Sequence, residues 1–105
     1  MYICLKILMR VIAKRTLREF WKLHRDSEQP LRSWYDISKN EIWNNFNEIK
    51  SLFRNASIVG NDKVVFNIKG NDFRLVVKVD FIWKVMFIKF IGTHREYDKV
   101  DVKKL

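Results

Sequence analysis

The stretch Gly92–Asp98 holds the residues of this chain that are best suited to proton transfer. Thr93 and Glu96 have the spacing of a capping box, which predicts that a short helix begins here. Three side chains that can exchange protons then share one face of this helix, at positions i, i+3 and i+4: His94, Tyr97 and Asp98. An imidazole, a phenol and a carboxylate within reach of one another can act as general acids and bases.

Arg74 lies in an earlier segment, where apolar and polar residues alternate as in a strand with one buried face. Its guanidinium could stabilise an anionic phosphate near the proton-transfer group. Together the four residues suit RNA cleavage by the RNA's own 2′-hydroxyl. A base removes the hydroxyl proton, the oxygen attacks the adjacent phosphate, and an acid protonates the leaving 5′-oxygen. The motif leaves open which residue is the acid and which is the base.

A structural interpretation of each residue stands beside the catalytic one. A Thr-x-x-Glu box is common where helices begin, and a lone histidine such as His94 is more often a surface residue. Arg74 and Lys78 could simply belong to a solvated strand face. His24 lies in an apolar helical stripe, so we interpret it as structural or surface. The Trp and Phe residues at helical spacing are expected in the core.

The charge of the chain favours a polyanionic partner. Lys and Arg number 21 against 12 Asp and Glu, a net charge of +9, and the excess is spread along the whole chain. A folded body of this kind carries a positive field that attracts RNA or DNA. The single cysteine, Cys4, excludes an internal disulfide and fits the cytoplasm. The two distant histidines and lone cysteine form no metal-ligand cluster, so we expect neither a metal nor another cofactor.

The length of 105 residues predicts a single domain over residues 1–105. Its pattern changes from helical to strand-like near residue 56. A short strand and two to three helices should precede four strands, the last of them central, so we expect an α+β fold with helices on one face of a mostly antiparallel sheet. Gly60-Asn61 and Gly70-Asn71 predict two-residue hairpin turns. Thr16 with Glu19 and Asn45 with Glu48 have the spacing of helix caps, which predicts where the first and third helices begin. The face of the sheet away from the helices is expected to be polar and basic, since it would carry Asn67, Lys69, Arg74 and Lys78. Residues 1–8 look like an N-terminal extension, and no apolar run is long enough to span a membrane.

Several motifs resemble those of the HigB toxin family, of the RelE/ParE-like type. The segment Ser57–Lys78 contains Phe-Asn-Ile-x-Gly-Asn-x-x-Arg, and Phe90–Asp98 contains Gly-Thr-His-x-x-Tyr-Asp. Arg10–Ala13, the following Phe20-Trp21, and Pro30-Leu31 with Trp34 are similar to the family's opening.

The resemblance implies a RelE/ParE-like fold and ribosome-dependent cleavage of messenger RNA by a metal-independent endoribonuclease. It also implies neutralisation by a HigA antitoxin, usually a helix-turn-helix protein. At matching motif positions, the residues expected to be catalytic are Arg74, His94, Tyr97 and Asp98. Those expected to bind RNA are Lys69, Lys78 and Arg95. The alternative is a non-catalytic relative, for example a toxin that binds DNA gyrase or a basic nucleic-acid-binding domain.

Overall fold

The structure is a computed structural model that describes residues 8–105. The change from helices to strands near residue 56 is confirmed, because the first strand of the second half begins at Ser57. In chain order the elements are β1 (Arg10–Ile12), α1 (Lys14–Leu23), a 3-10 helix (Arg25–Ser27), α2 (Glu28–Lys39), α3 (Phe46–Leu52), β2 (Ser57–Val59), β3 (Lys63–Ile68), β4 (Phe73–Asp80), β5 (Val85–Thr93), α4 (His94–Tyr97) and a second 3-10 helix (Val102–Lys104).

The strands form one sheet in the order β1-β5-β4-β3-β2, and this confirms the expected α+β fold. The β2–β3, β3–β4 and β4–β5 pairs are antiparallel, and β1 pairs parallel to β5. The expectation that the last strand is central rather than at an edge is confirmed, because β5 is flanked by β1 and β4. Its neighbours on both sides explain its apolar residues on both faces.

The core lies between the helices and one face of the sheet, here called the helix-covered face. Leu17, Trp34 and Ile49 from the three long helices are buried against strand residues that include Phe66 and Leu75. The alternation predicted for β4 is confirmed, as its odd-numbered residues from position 73 to 79 are all buried there. Each such side chain contributes about 1.5–3 kcal/mol by leaving water, so this layer dominates the stability of the fold.

The opposite face of the sheet, here called the second face, is less polar than the sequence predicts. Val65 and Val76 lie at its centre and are buried under Val102, together with Tyr97 and Leu105. The expectation of a basic surface across the whole face was therefore wrong in its middle. The chain after α4 folds back over these valines, because their apolar surface would otherwise face water.

The start of α1 also differs from the prediction. The helix begins at Lys14 after Ala13, and Thr16 lies inside its first turn, so no side chain caps this end. Glu19 pairs instead with Arg15, with 2.9 Å between the Nε and Oε1 atoms. The spacing of Thr16 and Glu19 fits a capping box equally well, but a box requires the threonine to precede the first helical residue.

The predicted cap of α3 is confirmed. Asn45 precedes the helix in an extended conformation, and its side-chain oxygen accepts a hydrogen bond from the Glu48 amide at 3.0 Å. The side chain of Glu48 reaches back and accepts from the Asn44 amide at 3.1 Å. These contacts satisfy amides that a helix start leaves without partners.

The hairpin turns need glycine as predicted, but they are longer than two residues. Gly60 and Gly70 have φ values of 66° and 63°, a conformation that costs glycine little. Val59 pairs with Lys63, so the first turn spans residues 60–62. Ile68 pairs with Phe73, so the second turn spans residues 69–72 and is here called the β3–β4 turn.

The N-terminal segment falls largely outside the described residues, since the description begins at Leu8. Met9 is buried in the core, and its amide donates to the Glu41 carbonyl at 3.1 Å. Among residues 8–105, no helix combines the length and the apolar composition needed to cross a membrane.

Candidate active site

The helix that follows β5 begins with the predicted capping box. The Thr93 hydroxyl accepts from the Glu96 amide at 3.2 Å, and the Glu96 carboxylate accepts from the Thr93 amide at 2.8 Å. The bond from the Thr93 amide, and then that with its side chain, lower the pKa of the Glu96 carboxyl. Glu96 therefore takes part in the cap of α4 in its anionic form. The two hydrogen bonds of the box fix the direction in which the helix leaves the strand.

His94 and Asp98 form a pair on the exposed side of α4. Their Nδ1 and Oδ2 atoms lie 3.1 Å apart, and their side chains are 49% and 58% exposed. If the neutral imidazole carries its proton on Nδ1, it donates to Asp98 and leaves Nε2 as an acceptor. In that tautomer, Nε2 of His94 can accept a proton from a ligand on this side of α4.

Arg74 of β4 and Tyr97 of α4 lie close together on the second face, where β5 ends and α4 begins. The Arg74 guanidinium carbon lies 5.8 Å from the centroid of the Tyr97 ring. Arg74 pairs in register with Gly92, which lies two residues before the first residue of α4. The guanidinium also donates to the Asn71 carbonyl at 3.1 Å. The structure therefore places all four predicted catalytic residues at one end of the sheet, with Arg74 beside the helix that carries the other three.

Gly92 has a steric role that the sequence did not reveal. A Cβ atom at this position would lie 2.6 Å from Cζ of Phe90, too close for carbon atoms in contact. The Phe90 ring therefore lies across Gly92, and its centroid is 6.4 Å from that of Tyr97. Phe90 packs beside the Tyr97 ring, because α4 follows β5 directly and turns back toward the face that carries Phe90.

The three predicted RNA-binding residues do not lie together. Arg95 is exposed on α4, next to the catalytic candidates. Lys78 is 47% exposed and has its Nζ atom 3.9 Å from Asp62 Oδ2. It lies four residues beyond Arg74 along β4, a separation of about 13 Å. Lys69, in contrast, has its charge compensated by two carboxylates.

The ion pairs of Lys69 connect the β3–β4 turn to the α1–α2 connection. Lys69 Nζ lies 2.7 Å from Asp26 Oδ2 and 3.4 Å from Asp72 Oδ2. The hydrogen bond with Lys69 lowers the pKa of the Asp26 carboxyl, and the same bond raises the pKa of the Lys69 ammonium. No local pattern indicates this contact, because 43 positions separate Asp26 from Lys69.

Backbone carbonyls of the β3–β4 turn hold two of the catalytic candidates. The Asn71 carbonyl accepts from the Arg74 side chain, and the Asp72 carbonyl accepts from the His94 amide at 3.1 Å. Sequence reasoning missed this role of the turn, since the residues act through their main chain rather than their side-chain chemistry.

A cavity of 230 Å³ opens beside Asn67, the cross-strand partner of Arg74. Residues 52–56 and Phe66 form its remaining walls. It is smaller than the roughly 300–1,000 Å³ of typical small-molecule sites. Over residues 8–105, no three His, Cys, Asp or Glu side chains gather in a group that could hold a metal ion.

Comparison with known proteins identifies the class to which this fold and site belong. Residues 27–100 match the model of a family described as the RelE-like toxic component of a toxin–antitoxin system. The chain belongs to this family, the HigB toxins. It is also 28% identical over 94 residues to the mRNA interferase HigB of Escherichia coli O6:H1, and the alignment covers 88% of this chain and 91% of that protein. The resemblance seen in the sequence motifs is confirmed.

Proposed function

We propose that this toxin is an endoribonuclease that cleaves messenger RNA on the ribosome. The observation that carries the proposal is the juxtaposition of Arg74 with Tyr97 at the base of a helix that also carries the His94–Asp98 pair. A site for phosphodiester cleavage needs a cation and proton-transfer groups at one point. The similarity to a protein named an mRNA interferase supports the same reaction.

In the proposed reaction, the RNA supplies its own nucleophile. One of the groups on α4 takes the proton of a 2′-hydroxyl, and the oxygen attacks the adjacent phosphorus. A second group donates a proton to the departing 5′-oxygen, leaving a 2′,3′-cyclic phosphate and a 5′-hydroxyl. Arg74 neutralises the negative charge that grows on the phosphate oxygens. Its place beside Tyr97 supports Tyr97 as a proton donor or acceptor, and Asp98 would orient His94.

The reaction as proposed requires no metal ion, since both proton transfers and the charge stabilisation are assigned to side chains. Arg95 and Lys78 would bind flanking phosphates, and the net charge of +9 would draw the toxin to ribosome-bound RNA. Binding through phosphates should weaken with salt, because it releases condensed counterions.

A toxin of a toxin–antitoxin system has a neutralising partner, and we infer that the partner here is a HigA-type helix-turn-helix protein. Expression of the chain alone should then arrest bacterial growth, and co-expression of the partner should relieve the arrest. Normal growth at high levels of soluble toxin would contradict a toxic activity.

The deciding experiment supplies purified toxin to ribosomes that carry a defined message and maps new 5′ ends. New ends within the reading frame support the proposal, and their absence from naked message supports ribosome dependence. Toxin treated with a chelator and returned to intact ribosomes should cleave equally well. An intact message combined with blocked DNA supercoiling would instead indicate the non-catalytic, gyrase-binding alternative.

A further inference from the structure

The α1–α2 connection is a firm point of attachment. Its residues 24–27 are here called the connector. Ser27 is fully buried, and its hydroxyl donates to the His24 carbonyl at 2.6 Å. The His24 ring stacks on Phe20, with 4.4 Å between centroids, and meets the edge of Phe73 at 5.6 Å. The connector is thus packed against the first residue of β4, next to the turn that precedes it.

The β3–β4 turn, by contrast, has little packing of its own. Its residues 69–72 are all exposed. Lys69 adopts a φ of 52°, a left-handed conformation that disfavours side chains other than those of Gly, Asn and Asp. Within the turn, the Asp72 amide donates to the Lys69 carbonyl at 3.2 Å, and the Lys69 side chain adds a contact from outside by reaching Asp26 of the connector.

While the turn is attached to the connector, two of its carbonyl groups fix the positions of two nitrogen atoms in the proposed site. The Asn71 carbonyl fixes one guanidinium nitrogen of Arg74, and the Asp72 carbonyl fixes the amide of His94. A displacement of this turn would move the cation and the first residue of α4 together. Proton transfer and charge stabilisation both depend on such positions, and a misplacement of about 1 Å can cost up to ~100-fold in rate.

The charge of this cluster argues against Lys69 as a phosphate ligand. Its one ammonium group faces two carboxylates, those of Asp26 and Asp72, so the three side chains together are negative. A phosphate would be repelled by the pair that Lys69 already binds. The hydrogen bonds that raise the pKa of Lys69 come from these same carboxylates.

We propose that Lys69 is a positioning residue, which anchors the β3–β4 turn to Asp26 and so aligns Arg74 with His94. This inference rests on the proposed RNA cleavage and replaces the RNA-binding role predicted for Lys69. Exposed ion pairs contribute little to global stability. The effect should therefore fall on the rate of cleavage rather than on the folding of the protein.

The test compares Lys69→Met and Asp26→Asn with wild type in single-turnover cleavage on programmed ribosomes. Each variant should lower the maximal rate on the order of 10-fold and leave the half-saturating toxin concentration and its salt dependence unchanged. The double variant should lose no more than Lys69→Met alone, since the Lys69–Asp26 contact that Asp26→Asn removes is already absent in Lys69→Met. Lys69→Arg should retain most of the rate.

Asp26→Asn separates the two roles, because it keeps Lys69 but removes one of the two carboxylates that face its ammonium group. A phosphate-binding lysine would then bind ribosomes more tightly, whereas a positioning lysine would lose its anchor and slow cleavage. Tighter binding at an unchanged rate, or weaker and less salt-dependent binding by Lys69→Met, would overturn the proposal. Asp36→Asn and Lys39→Met are matched controls, because they make the same charge changes in an exposed pair on α2.

Hydrogen exchange of the His94 amide gives a readout that does not need activity. Exchange at this amide should quicken in Lys69→Met and Asp26→Asn, but not in the α2 controls, because its acceptor belongs to the released turn. Unchanged exchange would overturn the positioning role even if cleavage slows. If wild-type toxin cleaves no RNA, the proposed function fails, while the exchange measurement still decides whether Lys69 holds the turn.

Discussion

The helix-covered face of the sheet is closed and apolar, whereas the second face is half open at one end. On the first, Phe66, Leu75 and their neighbours are buried beneath α1, α2 and α3. On the second, Val65 and Val76 are covered by the C-terminal segment, but Arg74 and α4 remain accessible beside them. One strand, β4, contributes alternate residues to both faces.

The difference shows how a small domain can place the residues that stabilise it on one face of the sheet and its candidate catalytic residues on the other. Leu75 and Arg74 are consecutive residues, and the strand turns one into the core and the other toward solvent. The polar groups of the site keep contact with water, which limits the cost of their charges. Changes on the helix-covered face should therefore alter folding, and changes around α4 should alter the rate.

Loss of a proton-transfer group is expected to have the largest effect. His94→Ala and Tyr97→Phe should each slow cleavage by roughly 100-fold to 10,000-fold, since each removes a candidate acid or base. Thermal unfolding should change little, because His94 is exposed and Tyr97→Phe keeps the ring that packs against the buried valines. Single-turnover rates on programmed ribosomes test this, with Lys103→Ala as a surface control. Wild-type rates in both variants would move the active site elsewhere.

Loss of the Arg74 guanidinium should have the next largest effect on the cleavage rate. Arg74→Ala should reduce the cleavage rate by about 100-fold to 1,000-fold, because the charge it offsets exists mainly in the transition state. Ribosome binding should persist, as other Lys and Arg residues supply the field. Arg18→Ala, a change of equal charge on the exposed side of α1, is the control. Ribosome binding is measured alongside the cleavage rate. Weaker binding at an unchanged maximal rate would contradict the role assigned to Arg74.

A substitution in the core should lower the stability of the protein and leave the cleavage rate of the folded fraction nearly unchanged. Leu75 is fully buried, and Leu75→Ala should lower the free energy of unfolding by about 2–5 kcal/mol through lost burial and a cavity. The fraction that stays folded should cleave at nearly the wild-type rate. Chemical denaturation measures the first quantity, and rates corrected for folded protein measure the second. Ile37→Ala, at an exposed site on α2, should cost far less.

Loss of the cap of α4 should lower the free energy of unfolding by less than the core substitution does. Thr93→Ala removes one half of the capping box and should cost about 1 kcal/mol of unfolding free energy. Thr16 lies inside the first turn of α1 and caps nothing, so Thr16→Ala should stay within about 0.5 kcal/mol of wild type. Equal losses at the two threonines in chemical denaturation would show that the cap geometry carries no weight.

The smallest expected effect is a pH dependence at Glu96. Because hydrogen bonds with Thr93 lower its folded-state pKa, the contribution of Glu96 is present above its pKa in the unfolded chain. The contribution is lost as the pH falls through the lower folded value. Glu96→Gln should therefore be less stable than wild type near neutral pH, and the gap should narrow in acid. Unfolding measured across this range would show a constant gap if the carboxylate had no such role.

The sequence by itself determined the class of fold and named the residues of the candidate site that local spacing brings together. Period-two alternation in β4 and helical spacing in the first half decide which residues are buried, because burial follows the geometry of each element. The capping box of Thr93 and Glu96 is a local device, so it was predictable together with the shared face of His94 and Asp98. The spacing of Thr16 and Glu19 misled, since it does not reveal where α1 begins.

Tertiary structure decided what depends on distant partners. The parallel pairing of β1 makes β5 an interior strand of the sheet, and the C-terminal segment buries Val76 on a face predicted to be basic. Asp26 and Lys69 meet across 43 positions of chain. No local pattern encodes such contacts, because their energies arise only once the helices have packed on the sheet and brought the connector to the β3–β4 turn.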